Sequence, residues 1–480
     1  MAEHSEGSRA VVPGKGKIWR AGTLTYTTGG LILLCFWLLW GDFPWAMKDR
    51  AVGPSATLLI KQLGVSDFLY GLIIVGFPNF TNTFLSPAIS YISDRHRGRW
   101  GRRIPFLLFT TPFIVFGIYL MGLTHLLGGW LHEGIPALPE HHAKLIVFCI
   151  GWIMLDFGAT LSASLFNALA NDVVPKEVLG RFFALFRMVS LAAGMIYNAW
   201  LIDKVEKHAL EILFGVGTFY GIGLLSLCWK VKEGEYPPPE AEPPLPGGTG
   251  KKRTLLLRVA HSAADYLRQS FSLPYYRWYM AATAVAGLAF SPVNFFSIQY
   301  AQKLNLGMDR YGIYLVITYC CSLVISFTLG ILSDRFHPLR TGLAALILYA
   351  ALMFASFALM ADAVYFGVLF ILHGVVSGSF FTLTASLGSR LLPHGLFAQF
   401  SSAAGIVLAA GSMVMGPALG KTLDLLHQDY RYVFLIGGFV TVAAALLFFK
   451  VYRNYLRLGG DESYEPPMPE QRRPPLCSRS

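Results

Sequence analysis

Apolar runs of roughly twenty residues, separated by short polar connections, recur along the whole chain. In the first half they cover 24–61, 67–91, 104–126, 143–168, 176–202 and 212–230; in the second, 277–303, 310–333, 340–361, 363–391, 400–423 and 432–452. About twenty apolar residues are needed to cross hydrocarbon as a helix, whereas the strands of a membrane barrel alternate over about ten. The pattern predicts an all-α polytopic membrane protein with twelve transmembrane helices. An even number of crossings puts both termini on one side.

The runs fall into two similar sets. Ser93-Asp94-Arg95 and Ser333-Asp334-Arg335 lie 240 residues apart, each closing an apolar stretch and opening a basic one. At nearly the same offset, Lys61-Gln62-Leu63-Gly64 through Gly71 matches Lys303-Leu304-Asn305-Leu306-Gly307 through Gly312. Two hydrophobic repeats without a nucleotide site are the sequence form of a secondary transporter. The expected organisation is a cytoplasmic segment over 1–23, a six-helix bundle over 24–231, a linker over 232–275, a second bundle over 276–458 and a disordered tail over 459–480. The linker carries the Pro-rich stretch 237–246 and then, over 253–271, an amphipathic pattern that suits a helix lying on the membrane or a plain connector.

The repeat also bears on the first helix. Hydropathy alone would end it near Ala46 and leave Lys48-Asp49-Arg50 in an outer loop. The second-half counterpart of Lys61 follows a continuous span, so the repeat extends the first helix to about Ile60, with a bend allowed at Gly53-Pro54. Asp42, Lys48, Asp49 and Arg50 then lie in the membrane, where each charge costs about 2.5–3.5 kcal/mol unless paired or hydrated.

Composition agrees with a membrane location. The 480 residues are 54% hydrophobic and 14% charged, where a soluble chain carries roughly 25% charge. The net charge of +11 calls for no nucleic acid, because Lys and Arg concentrate in cytoplasmic connections. Arg95, Arg97, Arg99, Arg102 and Arg103 form such a connection, which orients both termini to the cytoplasm, most simply at a cell inner membrane. The first apolar run is too long for a signal peptide and should remain as an anchor. Six scattered cysteines offer neither a disulfide framework nor a metal site.

Candidate chemistry clusters in the first half. Asp42, Trp45 and Asp49 share one helix face. Asp156 and Arg187 sit at similar depth in successive runs, so an ion pair between them is expected, either structural or at a binding site. Thr160 and Asn167 extend a polar stripe from Asp156. Second-half candidates are Asn294, Gln299 and His373, for which bonding between helices is the plainer role. Met415 through Thr422 falls one glycine short of a phosphate-binding loop and lies in an apolar run, so it is discarded. Asn79-Phe80-Thr81 matches the glycosylation pattern only formally, inside the second run. No catalytic constellation appears, so an enzyme is not expected, nor any cofactor.

The stretch Asp94-Arg95-His96-Arg97-Gly98-Arg99-Trp100-Gly101-Arg102-Arg103-Ile104-Pro105-Phe106 resembles the loop between the second and third helices of the major facilitator superfamily. In its arginine-tryptophan form it is similar to the glycoside-pentoside-hexuronide:cation symporters, the group of melibiose permease. The likeness is specific over 40–190 and thinner in the second half. It implies two six-helix bundles and alternating access. Asp94, Arg95, Arg99, Arg102, Arg103, Asp334 and Arg335 would then serve as a conformational switch of charge pairs that break and reform. Carried over by position, Asp42 and Asp156 resemble the family's sugar-binding acids, and Arg181 its fifth-helix arginine. The chain departs from that pattern at Asn82 and Ser86, which are acidic in sodium-coupled members, and at Thr160, where those members carry tryptophan.

The resulting expectation is a monomeric secondary transporter that moves a sugar or glycoside by cation symport. Asp42 and Asp156 would accept hydroxyls, Trp45 would stack on the sugar ring, and Asp49, Thr160, Arg181 and Arg187 would complete the site. With both second-helix carboxylates replaced, H⁺ is favoured over Na⁺; the coupling candidates are Asp42, Asp49, Asp156, Asn82 and Ser86. The alternatives are transport of a peptidoglycan fragment, nucleoside or drug, possible also as export, or a non-transporting sensor on the same fold.

Overall fold

The computed structural model describes residues 18–235, 270–360, 362–393 and 397–467. The amphipathic pattern over 253–271 lies outside them except for its last two residues. Among the described residues, twelve helices are long and apolar enough to cross a membrane.

The first span is one continuous helix, Thr28–Gln62, despite Pro44 and Pro54 within it. Thr27 caps its start by accepting the Gly30 N–H at 3.1 Å. At its far end the chain turns through Gly64 at φ +71°, a conformation that costs glycine little. At about 1.5 Å per residue this helix is roughly 52 Å long, well beyond the roughly 30 Å of hydrocarbon. Asp42 and Lys48 are buried within it, so the repeat rather than hydropathy alone places its end.

The second span has three parts: a helical turn Asp67–Tyr70, a π-helical turn Gly71–Gly76 and the helix Phe77–Arg95. The third, fourth and fifth spans are Ile104–Gly122, Glu140–Val173 and Lys176–Trp200. The sixth, Ile202–Lys230, opens with a short 3-10 turn. In the second half the seventh to twelfth spans are Pro274–Lys303, Met308–Phe336, Pro338–Leu359, Ala363–Leu391, Gln399–Leu425 and Tyr432–Arg457.

Several boundaries differ from the expectation. The fourth span starts at Glu140, not 143, and the sixth at Ile202, not 212. Both extend into polar sequence, Glu140-His141-His142 in one and 202–211 with its Lys, His and acidic residues in the other, where helical hydrogen bonding continues after hydropathy has lost its signal. Pro175 is the N-cap of the fifth span. The segment before the first span pairs Trp19–Ala21 with Leu24–Tyr26 as a small antiparallel hairpin, and a helix Thr124–Gly134 fills the connection between the third and fourth spans.

The tail expected to lack structure from 459 is folded over its first residues. Gly460–Ser463 forms a helical turn, Tyr464 donates to the Leu391 carbonyl at 2.7 Å, and Tyr276 donates to the Pro467 carbonyl at 2.8 Å. Aromatic hydroxyls at the bundle end anchor a sequence whose composition reads as unstructured.

Packing repeats with the sequence. The second span packs on the fourth and the third on the sixth; correspondingly the eighth packs on the tenth and the ninth on the twelfth. Across the halves, the second span meets the eleventh and the fifth meets the eighth, contacts that the repeat exchanges. The repeat glycines make them possible. A Cβ on Gly71 would lie 2.3 Å from the Gly416 carbonyl oxygen, and one on Gly312 would lie 2.0 Å from that of Asn198. Gly416 and Gly420, in the stretch discarded as a phosphate loop, form a small-xxx-small seam against the second span.

The described hydrogen bonds between the halves gather toward one end. They include Arg50 to Tyr319, Asp424 to the start of the second span, Tyr430 to Asp67, Tyr70 to the Phe295 carbonyl and Gln302 to Glu206. The fifth and eighth spans are the least buried of the twelve, as helices must be when they touch near one end and diverge over the rest.

Candidate functional site

Helical spacing of three and four residues brings Asp42, Trp45, Lys48 and Asp49 together on the first span. The Trp45 Nε1–H donates to Asp49 Oδ2 at 2.9 Å, and Lys48 Nζ lies 2.5 Å from the other carboxylate oxygen. The Lys48 ammonium also sits 4.5 Å from the Trp45 ring centroid and 5.6 Å from that of Tyr220. The Lys48 side chain is 4% exposed and that of Asp49 53%. Asp49 therefore presents the accessible side of an otherwise buried charge cluster. Asp42 is 1% exposed, and its Oδ2 has no hydrogen-bond partner among the described residues.

Trp45 is not open for stacking in this conformation. Its ring stacks on Phe166 at 5.4 Å and 11°, and the Lys48 ammonium lies over it as well. A sugar stacked on Trp45 needs one of these neighbours to move.

The expected Asp156–Arg187 ion pair does not form. The fourth span packs on the second, third and neighbouring Thr124–Gly134 helices, while the fifth packs on the first and eighth; the fourth and fifth touch through the Phe166 and Phe186 rings, 5.8 Å apart, rather than through Asp156 and Arg187. Asp156 instead accepts a hydrogen bond from Thr81 Oγ1 on the second span. Arg187 and Arg181 are exposed on the fifth span, and among the described residues neither forms an ion pair. Thr160 is buried one helical turn from Asp156. Asn82 is exposed and Ser86 half-buried on the second span.

Two of the second-half candidates lock helices together. His373 Nδ1 lies 2.7 Å from the Tyr349 hydroxyl and its Nε2 lies 3.1 Å from Asn294 Oδ1, joining the seventh, ninth and tenth spans in a chain that runs from buried Tyr349 and His373 to exposed Asn294. Gln299 is 3% exposed, with both amide atoms lacking a partner among the described residues.

At the bundle end that carries the arginine loop, Arg103 donates to Ser93 Oγ at 2.6 Å. Arg102 Nη2 and Nε donate to Asp172 at 2.7 and 3.1 Å, and Arg103 joins the same carboxylate at 3.4 Å. Glu233, just past the sixth span, accepts the backbone N–H groups of Arg102, Arg103 and Ile104 at 2.7–2.8 Å. The side chains of Asp94 and Arg95 lie outside the described residues. In the second half Asp334 pairs with Arg390 at 2.7 Å, and Arg335 lies over the Phe336 ring. Sequence reasoning missed Asp172, Glu233 and Arg390. The only signal for Asp172 was an acid at the end of an apolar run, and nothing distinguished Glu233 from linker charge.

Twelve spans in two repeated bundles, with charges buried on the first helix and a charge-paired loop after the second, define a membrane transporter of the two-bundle type. The Major Facilitator Superfamily model matches residues 25–415 and 279–475, and the chain belongs to that superfamily. It is a transporter, not an enzyme. It is 28% identical over 218 residues to the mouse membrane-associated transporter protein, an alignment covering 42% of this chain and 38% of that protein. It is 28% identical over 153 residues to the rice (Oryza sativa) sucrose transport protein SUT4, covering 31% of this chain and 25% of that one. These alignments thus span well under half of either relative. Among solved structures, that of the nucleoside transporter NupG superposes with TM-score 0.62 at 13% identity, over 87% of this chain and all of that one, a likeness of fold.

Proposed function

We propose that this protein is a secondary transporter that moves a sugar or glycoside across the inner membrane by alternating access, coupled to H⁺ rather than Na⁺. The observation that carries the reading is the first-span cluster: an enclosed carboxyl at Asp42 whose Oδ2 has no partner among the described residues, one turn from Trp45 and two turns from half-exposed Asp49, itself paired with buried Lys48. A buried carboxyl beside an accessible one suits a group that exchanges a proton as a solute arrives, because an intramembrane charge is expensive unless it does work. Asp156, held by Thr81, supplies a second acceptor for paired hydroxyls. The sucrose transport relatives support a sugar over other small solutes, and Asn82 and Ser86 leave the second span without the carboxylates that hold sodium in the symporters it resembles. On the orientation read from the arginine loop, the closed end of the bundle faces outward and the cleft opens to the cytoplasm.

The test is uptake of a labelled sugar panel, with nucleosides as a second panel, into proteoliposomes with and without an inward proton gradient. Sugar uptake driven by the gradient and indifferent to Na⁺ is expected. Uptake of nucleosides but not sugars, or stimulation by Na⁺ at fixed pH and potential, would overturn the reading.

A further inference from the structure

A second feature is separate from the solute cluster. Where the arginine loop meets the start of the interdomain linker, a crevice of about 1020 Å³ opens between the ends of the third and sixth spans. We propose that it binds one anionic phospholipid of the cytoplasmic leaflet; the choice of leaflet rests on the orientation proposed above.

The crevice has two chemistries. Its inner wall is apolar, with Leu108 from the third span and Leu225 from the sixth. That wall continues into exposed apolar faces of the same helices, Phe109, Phe113 and Phe116 on one and Ile222 and Trp229 on the other, which in a bilayer face acyl chains. Its rim is basic. Arg99 and Lys232 are exposed there, and neither has an ion-pair partner among the described residues.

The acids nearby do not cancel this charge. The Glu233 carboxylate is engaged by three backbone N–H groups, and the lining sets Arg97, Arg99 and Lys232 against Glu233 and Glu235, a net positive rim. Two tryptophans stand at the mouth, Trp100 at 64% and Trp229 at 80% exposure. Indole rings concentrate at the level of lipid headgroups, so both mark the depth at which a phosphate would lie.

An apolar wall ending in a basic rim fits an amphiphile with an anionic head. A free phosphate would use the rim alone, and a zwitterionic lipid would gain less from its charge. Basic pockets between membrane helices at the cytoplasmic surface recognise anionic headgroups in this manner. The crevice shares its loop with Arg102 and Arg103, so a bound lipid would brace the segment that Asp172 and Glu233 hold.

The test is native mass spectrometry of the full chain purified in detergent, titrated with phosphatidylglycerol, phosphatidylcholine and glycerol 3-phosphate. One phosphatidylglycerol should be retained in preference to phosphatidylcholine. The Arg99→Ala/Lys232→Ala double variant should bind it about tenfold more weakly, about 1.4 kcal/mol, while Lys421→Ala, at the other end of the bundle, should bind as wild type. Trp229→Ala should also weaken retention, and glycerol 3-phosphate should not displace the lipid. Equal retention of both lipids, wild-type affinity in a double variant of unchanged melting temperature, or displacement by glycerol 3-phosphate would each overturn the proposal. Because binding is read without transport, it fails or stands apart from the sugar assay.

Discussion

The Tyr430 hydroxyl lies 3.1 and 3.0 Å from the two carboxylate oxygens of Asp67, closing one end of the molecule across its two halves. Asp67 is fully buried and is also gripped by Lys61 at 2.6 Å. Asp424 fixes the same junction by accepting the N–H groups of Asp67 and Phe68 at 2.9 Å. An alternating-access cycle has to break these bonds whenever that end opens.

Tyr430→Phe should therefore favour opening at that end. A hydrogen bond to a charged group contributes about 1.5–3 kcal/mol, so the equilibrium should shift by tenfold or more. Spin labels on Lys207→Cys and Gln428→Cys, on opposite halves, should show a larger population at long distance in the phenylalanine variant. An unchanged distance distribution would mean that the bond contributes nothing to closure.

Gly71→Ala and Gly312→Ala should open the same end by a different route. Each added methyl meets a backbone carbonyl, of Gly416 or Asn198, and a carbonyl in a packed helix cannot swing aside as a flexible side chain can. Gly76→Ala is the milder comparison, since its methyl would lie 3.3 Å from its nearest neighbours. Uptake reduced several-fold in the first two variants and near wild type in the third is the expected order. If Gly312→Ala were as active as wild type, close approach of the fifth and eighth spans would not be needed for the cycle.

Those two glycines show how far the chain could be read before folding. Hydropathy makes the twelve spans legible because each must bury roughly twenty apolar residues, and the 240-residue repeat placed the end of the first helix and so Lys48 and Asp49 within it. The partner of Asp156 was not legible. Order along the chain suggested Arg187, but neighbours in a bundle follow from which faces pack, and those put Thr81 beside it. The grip of Glu233 on the arginine loop was equally hidden, because its ligands are backbone N–H groups that no side-chain pattern announces.

His337 gives a prediction for pH. It sits between the eighth and ninth spans at φ +70°, and its Nδ1 accepts the Leu339 N–H at 3.2 Å, capping the ninth span. Burial lowers its pKa from the ordinary histidine value, with the charges of Arg390 and Arg340 acting the same way and Asp461 opposing them. A base harder to protonate when folded contributes stability above its unfolded pKa, about 6.5, and that contribution is lost as pH falls toward the lowered folded value. The melting temperature in detergent should therefore drop below about pH 6.5. His337→Asn keeps a side chain that tolerates positive φ and can cap a helix, so it should remove that part of the pH dependence. An identical pH profile for the two proteins would rule His337 out as its source.

Asp42, Asp49 and Asp156 should separate by which step each substitution affects. Asp42→Asn keeps the size of an enclosed side chain but removes its exchangeable charge. It should retain solute exchange between the two sides of a vesicle while losing accumulation driven by a proton gradient. Asp49→Asn leaves the Lys48 ammonium buried without its 2.5 Å counter-charge, and an uncompensated buried charge is destabilising; its melting temperature should fall along with its uptake. Asp156→Asn keeps a partner for Thr81 but is a poorer acceptor for sugar hydroxyls. It should raise the half-saturating solute concentration by about tenfold, the loss of about 1.4 kcal/mol of binding, with gradient-driven accumulation preserved. Exchange and gradient-driven uptake, measured side by side for the three variants, check the assignment. Loss of exchange in Asp42→Asn, or preserved accumulation there, would move the proton-carrying role to another carboxyl.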